Sequence, residues 1–168
     1  MSQEIIEEIS LNDEVCKGKK YTLFLLARKD YSQYTLLQKL KSRKLSEKST
    51  EIILSWLKKN NYINDEAFAE SLVRYRMNNK PMGRFRLNQE LKTKGIQAEI
   101  REKVINEAFQ GNSEKELARN LTREKIFPGK RNIEASDAKK IYHFLIRRGF
   151  SSEISKNIFF ELIHGEFS

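Results

Sequence analysis

The sequence predicts an all-α protein of three tandem three-helix repeats, stacked into an elongated, curved helical array. Three observations predict this fold. The chain is rich in helix-forming residues and has only seven glycines and two prolines among 168 residues. Apolar residues recur in register at an offset of 51 and then of 54 residues. Two glycines occupy equivalent places in the second and third copies, where a left-handed residue can end a helix.

The matched positions are mostly leucine and isoleucine. They are Leu40, Leu91 and Leu145; Leu45, Ile96 and Phe150; Ile53, Val104 and Ile158; Leu54, Ile105 and Phe159; and Leu57, Ala108 and Leu162. Gly95 and Gly149 stand just before the apolar residue that opens the next segment, and Lys44 holds that place in the first copy. A side chain disfavours the left-handed conformation, so we expect a modest conformational penalty at Lys44.

These patterns predict where each repeat begins and ends. Residues 21–63 form repeat 1, residues 64–111 form repeat 2 and residues 112–168 form repeat 3. Residues 1–20 stand apart as an N-terminal segment that is mobile or forms a short helix. A single irregular helical bundle, in which heptad-like spacing mimics repeats, is the alternative.

Capping residues predict the starts of several helices. Apolar residues at 21–29 predict the first helix of repeat 1, and Asn64 can cap a helix over residues 65–78. The face of that helix expected to be buried contains Phe68, Leu72 and Tyr75. Ser113 and Glu116 have the spacing of a capping box. Polar residues at equivalent places precede the third helices: Ser46, Gln97 and Ser151. Both prolines, Pro81 and Pro128, fall between a first and a second helix, where proline is tolerated.

The sequence gives no sign of catalytic or cofactor chemistry. It contains neither a phosphate-binding P-loop nor a dinucleotide fingerprint. Glu161 and His164 form one Glu-x-x-His pair, but a di-iron site needs a second pair. Cys16 is the only cysteine, which fits a reducing cytoplasm. We therefore expect no enzyme activity, no metal and no cofactor. The acidic N-terminus and the absence of a long apolar run predict a cytoplasmic protein with no signal peptide and no membrane partner.

Positive charge points to a polyanionic partner. The chain carries 32 basic and 23 acidic residues, a formal net charge of +9. The candidate binding residues form two clusters at related places in consecutive repeats. They are Arg28, Lys29, Lys39, Lys41, Arg43 and Lys44 in the first cluster, and Arg74, Arg76, Lys80, Arg84, Arg86, Lys92 and Lys94 in the second. Repeat stacking is expected to join the two clusters into one continuous basic surface. A solvated charged face without a partner is the alternative.

The expected contacts go to backbone phosphates or to an acidic protein surface. No helix resembles a recognition helix that reads base edges at defined positions. Tyr31 and Tyr34 can stack on bases, whereas core packing is expected for Tyr62 and Tyr75.

Several short runs resemble the RecX family. They are the run from Leu26 to Ser32, then Leu36 and Lys39-Leu40; the run Tyr62-Ile63-Asn64-Asp65, then Phe68-Ala69, Arg74 and Arg76; and Pro81-Met82-Gly83, then the run from Arg86 to Ile96. The resemblance covers roughly residues 21–110. These runs are specific in combination, and each is weak alone. The third repeat shares the helix pattern but little distinctive sequence.

The resemblance implies a modulator, usually an inhibitor, of RecA-type recombinases that acts in DNA repair, recombination and the SOS response. Such proteins consist of tandem three-helix repeats and lie in the helical groove of the recombinase filament on single-stranded DNA. There they bridge subunits, hinder filament growth, and suppress ATP hydrolysis, strand exchange and co-protease activity. The residues that match as contacts are Arg28, Arg74, Arg76, Arg86, Lys92 and Lys94, while Leu87, Leu91 and Ile96 must be core. The longer link over 127–137 departs from the other copies and leaves the reach of repeat 3 open.

We therefore expect a monomer that binds a RecA-type filament and also binds single- and double-stranded DNA through backbone phosphates. A general DNA-binding or architectural protein without a recombinase partner is the main alternative. An enzyme without recognisable motifs is a weaker one. The first hypothesis predicts tighter binding to recombinase-coated DNA than to bare DNA, and the second predicts the reverse.

Overall fold

The computed structural model describes residues 3–111, 113–125 and 133–167. This part of the chain forms nine α-helices and no β-strand, which confirms the all-α fold class. The helices are α1 (Gln3–Leu26), α2 (Gln33–Ser42), α3 (Glu47–Lys59), α4 (Asp65–Asn79), α5 (Arg84–Thr93), α6 (Ala98–Ala108), α7 (Glu114–Lys125), α8 (Ala135–Arg147) and α9 (Ser152–His164). The starts of α2 and α5, and those of α3 and α6, are 51 residues apart (33 and 84; 47 and 98), as the repeat predicts.

The chain divides into two compact units. The first comprises Met1–Ala69 and Thr93–Gln97, and the second comprises Glu70–Lys92 and Ala98–Ser168. The units do not coincide with the three predicted repeats. Residues 64–69 and 93–97 of repeat 2 belong with the first unit, and the rest of repeat 2 joins repeat 3 in the second. The repeat boundaries at 63 and 111 stay predictions.

Helix α1 crosses the predicted boundary at residue 20, which stays a prediction. One continuous helix, α1, runs from Gln3 to Leu26. Val15 already packs against the core of the first unit. At Gly18, an added Cβ would collide with the side chains of Ile53 and Leu45. Glycine thus lets α1 approach α3 closely, and this contact holds the helix across the predicted boundary.

Glu14 joins α1 to the start of α3. Its Oε2 accepts hydrogen bonds from the backbone N–H and the hydroxyl of Ser46, at 3.0 and 2.7 Å, and from the Ser49 hydroxyl at 2.7 Å. The hydrogen bonds from Ser49 and Ser46 lower the pKa of the Glu14 carboxyl. The Ser46 hydroxyl also accepts from the Ser49 N–H at 3.2 Å, which confirms Ser46 as the N-cap of α3.

The matched apolar positions form the cores of the two units. Twelve of the fifteen are buried, and the other three, Leu45, Ala108 and Phe159, are half-buried. Leu40, Leu91 and Leu145 are fully buried, with 0% of their surface exposed. Each fully buried leucine contributes roughly 1.5–3 kcal/mol relative to an exposed one. The repeat read from the sequence is therefore the pattern of core positions.

Helix α4 begins as predicted, and its expected face is only partly buried: Phe68 and Leu72 are half-buried. The Asn64 side chain accepts hydrogen bonds from two backbone N–H groups of the first turn, at 2.9 and 3.1 Å. The buried positions are Ala69 and Val73, whereas Tyr75 is 56% exposed. The expectation that Tyr75 packs in the core is wrong.

Left-handed residues end the second helices of all three repeats. Lys44 has φ +60°, Gly95 has φ +73° and Gly149 has φ +84°. The positive φ at Lys44 confirms the position at which a conformational penalty is expected.

In the first unit, the turn at Gly95 receives the start of α2. The Ser32 hydroxyl donates to the Lys94 carbonyl at 2.6 Å. The place of a Cβ on Gly95 is occupied by the Tyr34 side chain. We call this contact, of Ser32 and Tyr34 against Lys94 and Gly95, the first joint.

In the second unit, the turn at Gly149 receives the start of α5. The Gly83 N–H donates to the Arg148 carbonyl at 3.0 Å, and the Phe85 N–H donates to the Gly149 carbonyl at 3.2 Å. An added Cβ on Gly149 would collide with Arg86. We call this contact the second joint, and it uses residues equivalent to those of the first. Glycine therefore serves each joint twice, by its positive φ and by the space that it leaves.

A carboxylate caps each joint. In the first unit, Asp65, the first residue of α4, accepts a hydrogen bond from the Gln33 N–H at 2.7 Å. In the second, Glu114, the first residue of α7, accepts one from the Arg84 N–H at 2.9 Å. Both carboxylates satisfy an N–H that has no partner within its own helix.

Helices α7, α8 and α9 share one core. Leu121, Leu145 and Ile158 belong to it. The N-caps Ser113 and Ser151 accept hydrogen bonds from backbone N–H groups three residues on, at 3.1 and 3.2 Å. Pro128 and most of the longer link predicted over 127–137 lie outside the described residues, and α8 begins at Ala135. None of the described helices is long and apolar enough to cross a membrane.

Candidate nucleoprotein-binding surface

Most cations of the first cluster lie over aromatic rings. The distances from charged group to ring centroid are 4.2 Å for Arg28 over Phe24, 4.9 and 5.5 Å for Lys29 and Lys39 over Tyr31, and 3.8 Å for Arg43 over Tyr21. Such a contact stabilises an exposed pair by about 0.5–1 kcal/mol. The rings therefore set the positions of these four side chains.

The other two cations of the first cluster are exposed to solvent. Lys41 and Lys44 are exposed, and neither side chain has a hydrogen bond or ion pair within the described part of the chain. Lys94 is half-buried at the first joint, where its carbonyl accepts from Ser32.

Arg76 is committed to an ion pair inside the second unit. Its Nε donates to both carboxylate oxygens of Glu90, at 3.1 and 3.0 Å, and a terminal nitrogen donates to Oε1 at 2.5 Å. Donating these hydrogen bonds to the Glu90 carboxylate raises the pKa of Arg76. The pair ties α4 to α5, so Arg76 acts at least partly as a structural residue.

Arg84 also contacts other residues inside the second unit. Its guanidinium donates to Asn106 at 2.6 Å, lies 3.7 Å from a carboxylate oxygen of Glu114 and sits 4.7 Å from the Phe109 ring centroid. One side chain thus links the starts of α5 and α7 to α6.

The remaining cations of α4, α5 and their link are exposed. They are Arg74, Lys80, Arg86 and Lys92. Their side chains form no hydrogen bond or ion pair with any residue that the structure describes. Charges without an internal partner keep their full attraction for an anion.

Arg74 lines a groove between α4 and α6. The groove has a volume of about 500 Å³, and Val73, Met77 and Val104 provide apolar parts of its wall. Glu107 lines it as well. The groove is therefore amphipathic, with charges of both signs.

No group of three or more His, Cys, Asp or Glu side chains that could hold a metal ion occurs within the described ranges. The side chains gathered here are cations and rings, which bind anions and aromatic groups and do not ligate metals.

Comparison with known proteins identifies the family. The model of the second three-helix domain of RecX matches residues 64–105, which contain α4, α5 and most of α6. The regulatory protein RecX of Haemophilus ducreyi is 34% identical over 135 residues, which cover 79% of this chain and 84% of that protein. The chain belongs to the RecX family. The regulatory protein RecX of Actinobacillus pleuropneumoniae is 31% identical over 137 residues, with 79% and 84% covered.

Solved structures of RecX proteins have the same fold. A crystal structure of a regulatory protein RecX superposes with a TM-score of 0.78 at 26% identity and covers 94% of this chain and 77% of that chain. The crystal structure of RecX from Lactobacillus salivarius gives a TM-score of 0.76 at 26% identity, with 90% and 97% covered. The chain is thus a regulatory protein of the RecX family and not an enzyme.

The cations that the RecX resemblance singled out differ in their surroundings. Arg76 holds α4 and α5 together, whereas Arg74, Arg86 and Lys92 remain exposed. Leu87, Leu91 and Ile96 from the same run are buried, as expected. The two clusters belong largely to different units, and the continuous basic surface remains a prediction.

Among the aromatic residues, the sequence interpretation was partly wrong. Tyr62 is 48% exposed and packs at a tilt against Trp56 with 5.2 Å between centroids, although core packing was expected. Tyr34 is 44% exposed, and Phe85, which the sequence interpretation missed, is 66% exposed. The signal was available, because Phe85 follows Tyr34 by 51 residues, the repeat offset.

Proposed function

We propose that this protein binds the filament that a RecA-type recombinase forms on single-stranded DNA, in its helical groove, and inhibits ATP hydrolysis, strand exchange and co-protease activity. The observation that carries the proposal is the match to a regulatory protein RecX at 34% identity across 84% of its length. The expected effects are those that the family resemblance implies.

The charge of the chain supports an anionic partner. A net charge of +9 speeds the encounter with a nucleoprotein filament, and cations without internal partners release counterions from phosphates on binding. Both effects weaken as salt rises. We therefore expect filament affinity to fall steeply with ionic strength.

The exposed cations are the proposed contacts in the second unit. They are Arg74, Lys80, Arg86 and Lys92. Arg76 and Arg84 are proposed to contribute mainly by holding the helices that carry these residues. In the first unit the proposed contacts are Arg28, Lys29, Lys39, Lys41, Arg43 and Lys44, with Lys94 at the joint.

The test is single-stranded-DNA-dependent ATP hydrolysis by the cognate recombinase, with this protein added below the recombinase concentration. Strong inhibition supports the proposal. The triple variant Arg74→Ala, Arg86→Ala and Lys92→Ala should inhibit much less. The control variant, Lys48→Ala, Lys139→Ala and Lys156→Ala, removes the same charge from exposed positions outside the proposed contacts and should inhibit like the parent.

Two results would refute the proposal. If the parent protein in excess leaves ATP hydrolysis unchanged yet binds bare DNA tightly, the general DNA-binding alternative is correct. If both triple variants lose inhibition equally, net charge acts without a defined surface. Light scattering after size-exclusion chromatography tests the proposed monomer.

A further inference from the structure

Six large aromatic side chains are exposed in the part of the chain that the structure describes, and two of them contact no other ring and no cation there. The six are Phe24, Tyr34, Tyr62, Tyr75, Phe85 and Phe160. Four are covered by a cation or another ring: Phe24 by Arg28, Tyr62 by Trp56, Tyr75 by Arg76 and Phe160 by Phe159 and His164. Tyr34 and Phe85 contact neither a ring nor a cation among the described residues.

These two rings occupy equivalent positions. Tyr34 is the second residue of α2 and Phe85 the second residue of α5, and they are 51 residues apart. Each is fixed at its base by a joint. The Tyr34 side chain lies against Gly95, and the Phe85 N–H donates to the Gly149 carbonyl at 3.2 Å. An exposed ring on a fixed base is preorganised to receive a flat ligand.

The same two helices repeat the groups that follow each ring. Gln38 and Lys41 follow Tyr34 at four and seven residues, on the same helical face. Gln89 and Lys92 follow Phe85 at the same spacings. All four side chains are exposed and have no hydrogen bond or ion pair with described residues. We call each set of ring, amide and lysine a stripe, and each spans about 10 Å along its helix.

We propose that each stripe binds a nucleotide of single-stranded nucleic acid, with the base stacked on the ring, the glutamine amide beside the base and the lysine at the phosphate. A ring accepts any base, because every base has a π-face. The amide offers both a donor and an acceptor to a base edge. The stripes contain no acidic residue, which suits a polyanion.

The third repeat departs from the pattern. The equivalent positions on α8 hold Lys139, His143 and Ile146. That face lacks the ring at its start and the cation at its end. Base stacking is therefore assigned to α2 and α5.

The inference rests on the proposed function in placing single-stranded DNA against this protein, but its test needs no recombinase. Fluorescence anisotropy compares binding to an oligothymidylate with binding to an abasic deoxyribose-phosphate strand of equal length. The parent should prefer the strand with bases, by about 5- to 100-fold for each ring that stacks. The variant Tyr34→Leu with Phe85→Leu keeps Cβ and Cγ at the joints and should lose this preference without losing affinity for the abasic strand.

Two matched controls separate stacking from general effects. Tyr62→Leu with Phe160→Leu removes two exposed rings whose faces are already covered and should keep the preference. Lys41→Ala with Lys92→Ala should keep the preference but reduce the slope of log affinity against log salt by about 1.4, from roughly 0.7 per phosphate contact on a single strand. A 2-aminopurine in the oligonucleotide should lose fluorescence on binding the parent and not on binding the leucine variant.

Equal affinity of the parent for both strands, or a preference that survives in the leucine variant, overturns the inference. If that variant keeps the base preference but no longer inhibits ATP hydrolysis, the rings contact the recombinase and the inference is again wrong. If the parent shows the base preference but never inhibits ATP hydrolysis, the stripes stand and the proposed function fails.

Discussion

Gly149→Ala tests the second joint most directly. An alanine at φ +84° bears the cost of a left-handed side chain, about 1 kcal/mol. Its Cβ also enters the space occupied by Arg86 at the start of α5, and overpacking of this kind costs about 1–3 kcal/mol. The expected loss in the free energy of unfolding is therefore roughly 2–4 kcal/mol.

Gly165→Ala is the matched control. Gly165 has φ +72°, but an added Cβ there meets nothing within 4 Å. Only the conformational cost, about 1 kcal/mol, applies. The difference between the two variants isolates the contact with α5.

Urea unfolding followed by far-ultraviolet circular dichroism measures this difference. With a slope of about 1–3 kcal/mol per molar, Gly149→Ala should lower the midpoint by about 1 M or more, and Gly165→Ala by clearly less. Trp56, the only tryptophan, lies in the first unit, so its fluorescence reports separately on the unit that Gly149 does not belong to. If the two variants have equal midpoints, the joint contributes no packing energy and the reasoning fails.

Three further experiments test other contacts. Thr50 is 2% exposed, and its hydroxyl has no hydrogen-bond partner among the residues that the structure describes. Thr50→Val should therefore raise the free energy of unfolding by about 1 kcal/mol, and a lower urea midpoint would show that the hydroxyl is satisfied. Hydrogen bonds lower the pKa of Glu14 in the folded state. The carboxylate therefore stabilises the fold above the pKa that Glu14 has in the unfolded chain, and this contribution is lost as the pH falls through the lower pKa of the folded state. Glu14→Gln should therefore flatten the acid side of a plot of unfolding free energy against pH, and an unchanged plot contradicts this. A double-mutant cycle of Arg76→Ala and Glu90→Ala should give a coupling of about 0.5–1 kcal/mol that shrinks in high salt, while a coupling of zero would mean that the pair is not formed in solution.

The sequence was informative wherever one local rule decided the outcome. The recurrence of apolar residues marked the core, because burial demands the same spacing in each copy. Positive φ was predictable at Gly95 and Gly149, and even at Lys44, from their shared register. The caps Ser46 and Ser151 were predictable because a hydroxyl before a helix satisfies a free N–H.

Other features depend on contacts between residues far apart in the sequence, which local patterns do not show. Nothing local indicates that α1 continues through residue 20, because the close approach to α3 depends on what lies opposite Gly18. Helical spacing predicted part of the buried face of α4 but wrongly included Tyr75, since the small Ala69 gave too weak a signal to compete with that ring. The sequence also did not show which cations are exposed, because the partner of Arg76 lies on another helix.

Lys44 distinguishes the first repeat from the other two. The equivalent glycines at 95 and 149 each lie against the start of another helix, whereas Lys44 carries a side chain at the equivalent place.

 In an engineered chain, a repeat placed after another would therefore need glycine at this position, because a Cβ there would occupy the space of the neighbouring helix. Moving the first repeat to a later place would require Lys44→Gly.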